Sequence, residues 1–308
     1  MDYVRHFGMV LGNFFDGFRI FWGILQSFCR LVVNRPDVIF LKGGYVCLPV
    51  GIVAGFLKIP YVIHDSDAAP GLTNRVLAKK AKIIATGMPL DFYSYPEGRA
   101  VWTGIPISEK FKPVSKTVQA QEKEALGFDR QKPLLVVTGG SLGALHINEA
   151  IAKILPELIQ KCSVALITGH ESYTDFKYLE TEFTSDFRLI EFTSEMPKYF
   201  AAADVVVSRS GASTMSELAS MKKAVVLVPN HKLPGFHQVK NAENYVEAGA
   251  ALLVRDQEQG VDSGELLKAI NKLLSDDELR AELAKKLGSF AKGDAAAELA
   301  KLVLAAGR

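Results

Sequence analysis

Several loops of this chain combine glycine, hydroxyl and amide side chains in the manner of turns that hold phosphates or sugars. Residues 134–151, LLVVTGGSLGALHINEAI, pass from an apolar stretch through Gly139, Gly140, Ser141, Leu142 and Gly143 into a helical pattern. Glycines let a backbone approach a ligand closely, and a helix amino end presents unpaired N–H groups and a dipole that favours anions. Ser141 adds a hydroxyl donor. The same residues suit a tight strand-to-helix turn with Ser141 as the N-cap. Residues 208–221, SRSGASTMSELASM, stand at the corresponding place one fold unit later. Thr214-Met215-Ser216-Glu217 has the form of a capping box, which requires no ligand. Thr214 and Glu217 nevertheless share a helix face. A carboxylate there can accept both hydrogen bonds of a vicinal ribose diol while the helix amino end faces phosphate.

Three further loops carry polar groups. In PNHKLPGFHQVKNAENY (229–245), His231 and His237 flank a Pro-Gly turn with no adjacent carboxylate, a poor pattern for a metal. Gln238 and Asn241 each donate and accept, which suits sugar hydroxyls. HDSDAAPGLTNR (64–75) contains Asp65-Ser66-Asp67, superficially the Asp-x-Asp of metal-dependent glycosyltransferases. Those enzymes have a different, single-domain architecture, so no metal is expected here. KGGYVCLP (42–49) is another Gly-Gly turn before a helix and either holds a phosphate or merely turns the chain. No Ser–His–Asp set and no Walker lysine is evident.

Positioning such loops requires alternating elements. Short apolar runs, DVIFL (37–41), PYVIH (60–64), AKIIAT (81–86) and AVWTG (100–104), are interleaved with the helix-like LPVGIVAGFLK and GLTNRVLAKKA. The alternation restarts after residue 130 with PLLVVTGG, SVALITG, FRLIEF, DVVVSRSG, KAVVLVPN and AALLVRD, and the tail reads as two or three helices. This pattern predicts α/β architecture with parallel sheets covered on both faces. Residues 107–130 are charged and weakly apolar and read as a linker between a domain at 1–106 and a second at 131–308, whose final helix is free to pack back on the first. No repeat or low-complexity tract is present.

Composition narrows the function classes. Hydrophobic residues make up 48% and charged residues 23% of 308, enough for sizeable cores, and a net charge of +2 does not point to nucleic acid. Cys29, Cys47 and Cys162 are odd in number and far apart, which fits buried thiols in a reducing compartment. The amino-terminal stretch FGMVLGNFFDGFRIFWGILQSFCRLVV is interrupted by Asp16, Arg19 and Arg30 and has no run of the ~20 apolar residues a membrane span needs. From Gly17 it reads as a helix with Phe18, Phe21, Trp22, Leu25, Phe28 and Val32 on one stripe. Core packing is the first expectation for that stripe, and a position in a membrane surface the second.

Taken together, RPDVIFLKGGYVCLPV, IPYVIHDSDAAPGLTNRVLAKKA, TGGSLGALHINEAI, ADVVVSRSGASTMSELASMKKAVVLVP and HQVKNAENYVEAGAALLV resemble, in order and across nearly the whole chain, blocks of the MurG family. These are the N-acetylglucosaminyltransferases that convert lipid I to lipid II in peptidoglycan synthesis. The resemblance implies a GT-B fold of two Rossmann-like domains with the active site in the cleft, and UDP-N-acetylglucosamine (UDP-GlcNAc) held by the second half. It assigns Ser141 and the backbone around Ala212, Ser213 and Thr214 to the diphosphate, Glu217 to the ribose, and Met215 and Ser216 between them to the donor site. Thr193 falls to the uracil through its backbone. Gln238 with His237 and Asn241 falls to the sugar, with Asp67 reaching it from the other domain. Gly43, Gly44 and Tyr45 become an acceptor-side loop. Arg19, Phe21 and Trp22 become candidates for contact with the bilayer at the cytoplasmic face. No metal and no cofactor is implied, since UDP-GlcNAc is a substrate. The partners implied are lipid I, the membrane surface and other cell-wall synthesis proteins.

The chain departs from the family in three places. Asp67 stands where many members have Asn, and Ser108 replaces an arginine that assists near the donor. The family's opening GGTGGH-like loop, which binds the lipid diphosphate and carries the proposed general-base histidine, has no counterpart. Its absence implies that roughly 70 residues, about two βαβ units, are missing from the first domain. The catalytic base is therefore unassigned. Alongside an inverting transferase, two readings stay open: a donor-binding subunit or degenerate relative without activity of its own, and a UDP-GlcNAc 2-epimerase.

Overall fold

Runs of Val, Ile and Leu too short for helices form the strands, and those at Tyr61–Asp65, Leu134–Thr138, Ser163–Ile167, Val205–Ser208 and Ala224–Leu227 are buried along their whole length, as expected for strands covered on both faces of a parallel sheet. The computed structural model describes residues 2–140, 143–183 and 186–308, with side chains described for these except 2–16 and 234. They form two units, Met1–Gly104 with Asp294–Arg308, and Ile105–Gly293.

In the first unit β1 (Ile39–Leu41), β2 (Tyr61–Asp65), β3 (Ile83–Thr86) and β4 (Ala100–Trp102) make one parallel sheet in that order. Its core gathers Leu41, Ala54, Ile59, Tyr61, Ile63, Leu77 and Ile84. The Tyr61 hydroxyl is satisfied by donating to the Leu77 carbonyl at 2.7 Å. The last helix, Ala295–Ala306, is capped at its start by the Asp294 carboxylate and at its end by Lys82, whose Nζ donates to the Ala306 carbonyl at 2.9 Å. That helix belongs to this unit, so the second domain stops short of residue 308.

The amino-terminal helix, Asp2–Val33, overturns the core-packing expectation for its aromatic stripe. Phe18, Phe21, Trp22, Leu25 and Phe28 are exposed, Phe21 and Phe18 at 61%. Packing on the Cys47–Phe56 helix uses the opposite, narrower face, where Gly23 comes so near Pro49 that an added Cβ would lie 3.0 Å from it. Leu31, which lies off that stripe, is half-buried and packs against the core cluster. The small residue at 23 decides which face docks, because helix axes approach closest where side chains are smallest. Among the described residues no helix is long and apolar enough to cross a membrane. The thiols also divide: Cys162 is buried, whereas Cys29 is exposed and Cys47 is half-buried and donates to the Gly43 carbonyl.

The second unit holds β5 (Leu134–Thr138), β6 (Ser163–Ile167), β7 (Phe187–Ile190), β8 (Val205–Ser208), β9 (Ala224–Leu227) and β10 (Leu252–Leu253), parallel in the order β10-β9-β8-β5-β6-β7. A small antiparallel pair, β11 (Asp256–Gln257) and β12 (Gly260–Val261), follows and was not foreseen. The charged segment 107–130 is part of this unit and is no free linker. Lys116–Ala125 is a helix with Ser115 as its N-cap, packed on the Met196–Ala202 helix. Its polar ends are consumed internally: buried Lys123 meets Asp204 at 2.6 Å and Gln119 donates to the Ala203 carbonyl at 2.9 Å. Charge content misled here because these residues satisfy the sheet's amino-end backbone.

Candidate active site

Ligands in open α/β sheets collect at the carboxyl ends of the strands where strand order reverses. In the second unit that point lies between β5 and β8. The chain runs outward from β5 through β6 to β7, then returns to lay β8 against the other side of β5. Thr138 pairs with Ser208, so the two strands end level and their following turns leave the sheet side by side. Both glycine-bearing stretches identified in the sequence are those turns.

After β5 the chain reaches the Leu145–Leu158 helix within six residues. Two of its glycines serve the turn itself. A Cβ on Gly143 would lie 2.4 Å from the Thr168 carbonyl oxygen, and one on Gly139 would lie 2.3 Å from the Ala144 nitrogen. Gly140, at φ +78°, has open space where its Cβ would be. Buried Asn148 donates to the Thr168 carbonyl at 3.1 Å and fixes the helix start beside the end of β6. Ser141 lies outside the described residues.

After β8, Arg209, Ser210 and Gly211 lead into the Ala212–Ser220 helix. The capping box does not form. Gly211, extended at φ −65° and ψ 137°, is the N-cap, which places Thr214 three residues inside the helix, and no side chain caps the end. Unable to pair within the helix, the N–H groups of Ala212, Ser213 and Thr214 face the end of the turn. Met215 does not join them: its side chain is fully buried with Leu218 and Ala219, and its N–H bonds the Gly211 carbonyl at 3.0 Å. Glu217 is half-buried, and among the described residues none donates a hydrogen bond to its carboxylate. Burial pushes its pKa from the usual 4.5 up to about 7.

The third contributor is the His237–Glu247 helix, again without a side-chain cap, entered through Phe236 in the left-handed conformation at φ 54°. It is tied to the β8 turn. Ser210 Oγ donates to the Gln238 carbonyl at 2.6 Å, and Asn241 Nδ2 donates to the Ser210 carbonyl at 3.1 Å. Asn241 is buried, and this bond ties it to the turn. Gln238 Oε1 accepts from the Asn230 N–H at 2.9 Å, which orients its amide and turns its Nε2 into the remaining donor. His237 is half-buried, and its Nδ1 is buried without a partner among the described residues. Thr193 sits just past the end of β7, its hydroxyl accepting from the Glu195 N–H at 2.9 Å.

Three residues that the sequence reading passed over connect these turns. Arg209 Nη1 lies 2.7 Å from Asp256 Oδ2, and His146 Nδ1 lies 2.7 Å from Asp256 Oδ1. Burial raises the Asp256 carboxyl, but hydrogen bonds from His146 and Arg209 outweigh it and hold the group below the ordinary aspartate range. Nothing in their spacing, 63 residues from His146 to Arg209 and 47 on to Asp256, signals the contact.

In the first unit, Gly43 and Gly44 take φ of +90° and +81°, the left-handed turn that glycine permits, and Tyr45 is 80% exposed after them. Asp67 follows β2, its carbonyl accepting from the Tyr93 hydroxyl at 2.9 Å. Asp65 is inside β2, buried and bonded to the Tyr95 hydroxyl at 2.6 Å, so the Asp-x-Asp spacing does not present two carboxylates together. His64 is fully buried, bonding the Gly104 carbonyl through Nε2 at 2.9 Å. In the second unit Ser108 is exposed and accepts from the Lys110 N–H.

Two parallel sheets of this topology, with uncapped helix ends at a switch point and a carboxylate without a partner among the described residues, define the GT-B class of nucleotide-sugar proteins. Known proteins narrow the class. Residues 134–301 match the glycosyltransferase family 28 C-terminal domain and residues 4–86 the corresponding N-terminal domain. The UDP-N-acetylglucosamine--N-acetylmuramyl-(pentapeptide) pyrophosphoryl-undecaprenol N-acetylglucosamine transferase of Lachnospira eligens is 35% identical, over 86% of this chain and 73% of its own length. That of Clostridium perfringens is 33% identical, over 85% and 71%. The chain belongs to glycosyltransferase family 28, and within it to the MurG family.

Among solved structures, MurG of Acinetobacter baumannii superposes with a TM-score of 0.75 at 24% identity, covering 94% of this chain and 79% of that one. The UDP-GlcNAc 2-epimerase of Neisseria meningitidis, solved with UDP-GlcNAc, reaches 0.63 at 15% identity, over 92% and 80%. The epimerase likeness is one of fold. Sequence identity places the chain with the transferases.

Proposed function

We propose that this chain is an inverting, UDP-GlcNAc-dependent glycosyltransferase that moves N-acetylglucosamine to the 4-hydroxyl of the muramoyl sugar of lipid I, giving lipid II. The observation that carries the reading is the level ending of β5 and β8, which brings two glycine turns and the uncapped Ala212–Ser220 helix together with Glu217 one turn further in. The helix amino end supplies N–H donors and a positive dipole for the diphosphate. Glu217, which no donor among the described residues satisfies, accepts from the ribose diol. Gln238 Nε2, oriented by Asn230, donates to the sugar, and the backbone near Thr193 receives the uracil.

During transfer the acceptor oxygen attacks the sugar's C1 from the face opposite the phosphate. The C1–O bond breaks with its electron pair going to the departing UDP, and the hydroxyl proton passes to a base. The chain's part in this step is electrostatic. Fixed N–H groups at the helix end stabilise negative charge as it grows on the β-phosphate, without any reorganisation.

For the first unit we assign Gly43, Gly44 and Tyr45 to the acceptor side and Asp67 to the sugar. Phe18, Phe21, Trp22, Leu25 and Phe28, with Arg19 and Arg30 among them, form an exposed apolar and basic face suited to the cytoplasmic surface of the membrane, where the acceptor lipid resides. Incubation with radiolabelled UDP-GlcNAc and lipid I in detergent is expected to yield equal amounts of lipid II and UDP. Donor consumption that yields the 2-epimer instead would overturn the reading.

A further inference from the structure

The turns after β5 and β8 are joined by more than the sheet. Asp256, buried at 7% exposure, gives one carboxylate oxygen to each side. Its Oδ2 accepts from Arg209, the first residue of the β8 turn, and its Oδ1 accepts from His146, the second residue of the Leu145–Leu158 helix. Arg209 is held from the other direction as well, donating to the Val228 carbonyl at 2.9 Å. Buried ion pairs add little net stability over apolar packing, and their best-attested use is to fix register between elements. The elements here are the two turns assigned above to the diphosphate.

The bridge also borders open space. His146, Arg209 and Asp256 line a cleft of roughly 220 Å³ together with Gly143 from the first turn and Asn230 and Lys232 from the loop after β9. A purely structural bridge has no need of a position at the mouth of these turns. With the donor-site reading as basis, we propose that Arg209, Asp256 and His146 are positioning residues that set the spacing of the two helix amino ends around the donor's diphosphate.

The test separates phosphate recognition from nucleoside recognition. UDP binding is measured by calorimetry and uridine binding by ligand-observed NMR, on the full chain and on Asp256→Asn, His146→Ala and His146→Asn. Thermal melting of each variant checks folding. Wild type is expected to bind both ligands. Asp256→Asn and His146→Ala should weaken UDP about 10-fold or more, as loss of a charge-assisted hydrogen bond in the wall of a site does, and leave uridine within about 2-fold. His146→Asn, which keeps a donor near the Nδ1 position, should recover most of the UDP affinity. Equal losses for UDP and uridine, or unchanged UDP affinity in both disabling variants, would overturn the assignment while leaving the donor site standing. A wild-type chain that binds neither ligand would overturn the donor-site reading and this assignment with it.

Discussion

Replacing Glu217 with glutamine should stabilise the free protein and weaken its grip on the nucleotide, two effects of opposite sign from one buried charge. The carboxyl has its pKa raised from 4.5 to about 7 by burial, and among the described residues no cation or donor offsets that cost. The folded state therefore binds a proton more tightly than the unfolded chain between those two values. Stability from this group is present below about pH 4.5 and is lost as pH rises through about 7. At ~1.4 kcal/mol per pH unit, the difference between 4.5 and about 7 sets a ceiling of about 3.5 kcal/mol. Glu217 is only half-buried, so solvent screening reduces the expected effect to about 1–2 kcal/mol. Glutamine, neutral and nearly isosteric, removes this penalty. Its midpoint in urea should match wild type near pH 4.5 and exceed it at pH 8. UDP affinity should move the other way. Two charge-assisted bonds to the ribose diol become neutral ones, a loss of about 1.5–3 kcal/mol, or roughly 10- to 150-fold in Kd at pH 8. The wild-type affinity should itself fall as pH drops below about 7, more steeply than the variant's, whose remaining pH dependence comes from the ligand's terminal phosphate with its second pKa of about 6. Calorimetry across pH 5.5–8.5 reads both. Equal affinities with parallel pH profiles would refute the assignment of Glu217 to the ribose, whatever the stability data show.

Other consequences follow from particular contacts. His64 is buried, which lowers its pKa despite the hydrogen bond to Gly104, so the unfolded chain binds the extra proton more readily. Its contribution to stability is complete above about pH 6.5 and declines as pH falls towards the folded value; His64→Gln should flatten that part of a urea-midpoint profile. Gly143→Ala forces a Cβ to 2.4 Å from the Thr168 carbonyl at φ +72°, and should lower stability by about 2–4 kcal/mol and abolish UDP binding. Thermal melting and calorimetry check the two arms. The double change Phe21→Ser and Trp22→Ser, at side chains 61% and 51% exposed, should leave the melting temperature within about 2 °C. It should reduce co-sedimentation with anionic phospholipid vesicles several-fold.

What the sequence made legible, and what it hid, separates along a physical line. Every strand of the six-stranded parallel sheet of the second unit lies within a predicted apolar run, because the central strands of such a sheet are covered on both faces and must be continuously apolar. The glycine turns were legible for the related reason that close backbone approach at Gly143 excludes every other side chain. Errors arose where a polar or apolar side chain has two acceptable environments. Lys123 and Gln119 look solvated, yet they finish hydrogen bonds on the Ala202–Asp204 corner and turn a supposed linker into a packed helix. Phe18, Phe21 and Trp22 look like core, yet the docking face was chosen by Gly23 against Pro49, a choice that apolar periodicity does not encode. Thr214-Met-Ser-Glu217 satisfied a local capping rule that Gly211 pre-empted by entering the helix three residues earlier. That last error is instructive for function. Had Thr214 capped the helix, its hydroxyl would have answered one of the first-turn N–H groups and Glu217 another, and both would have been lost to a ligand. A glycine at the cap leaves the donors and the carboxylate unanswered at once. The local rule fails where the nucleotide is proposed to bind, because a site must keep unsatisfied the groups that a well-capped helix would satisfy.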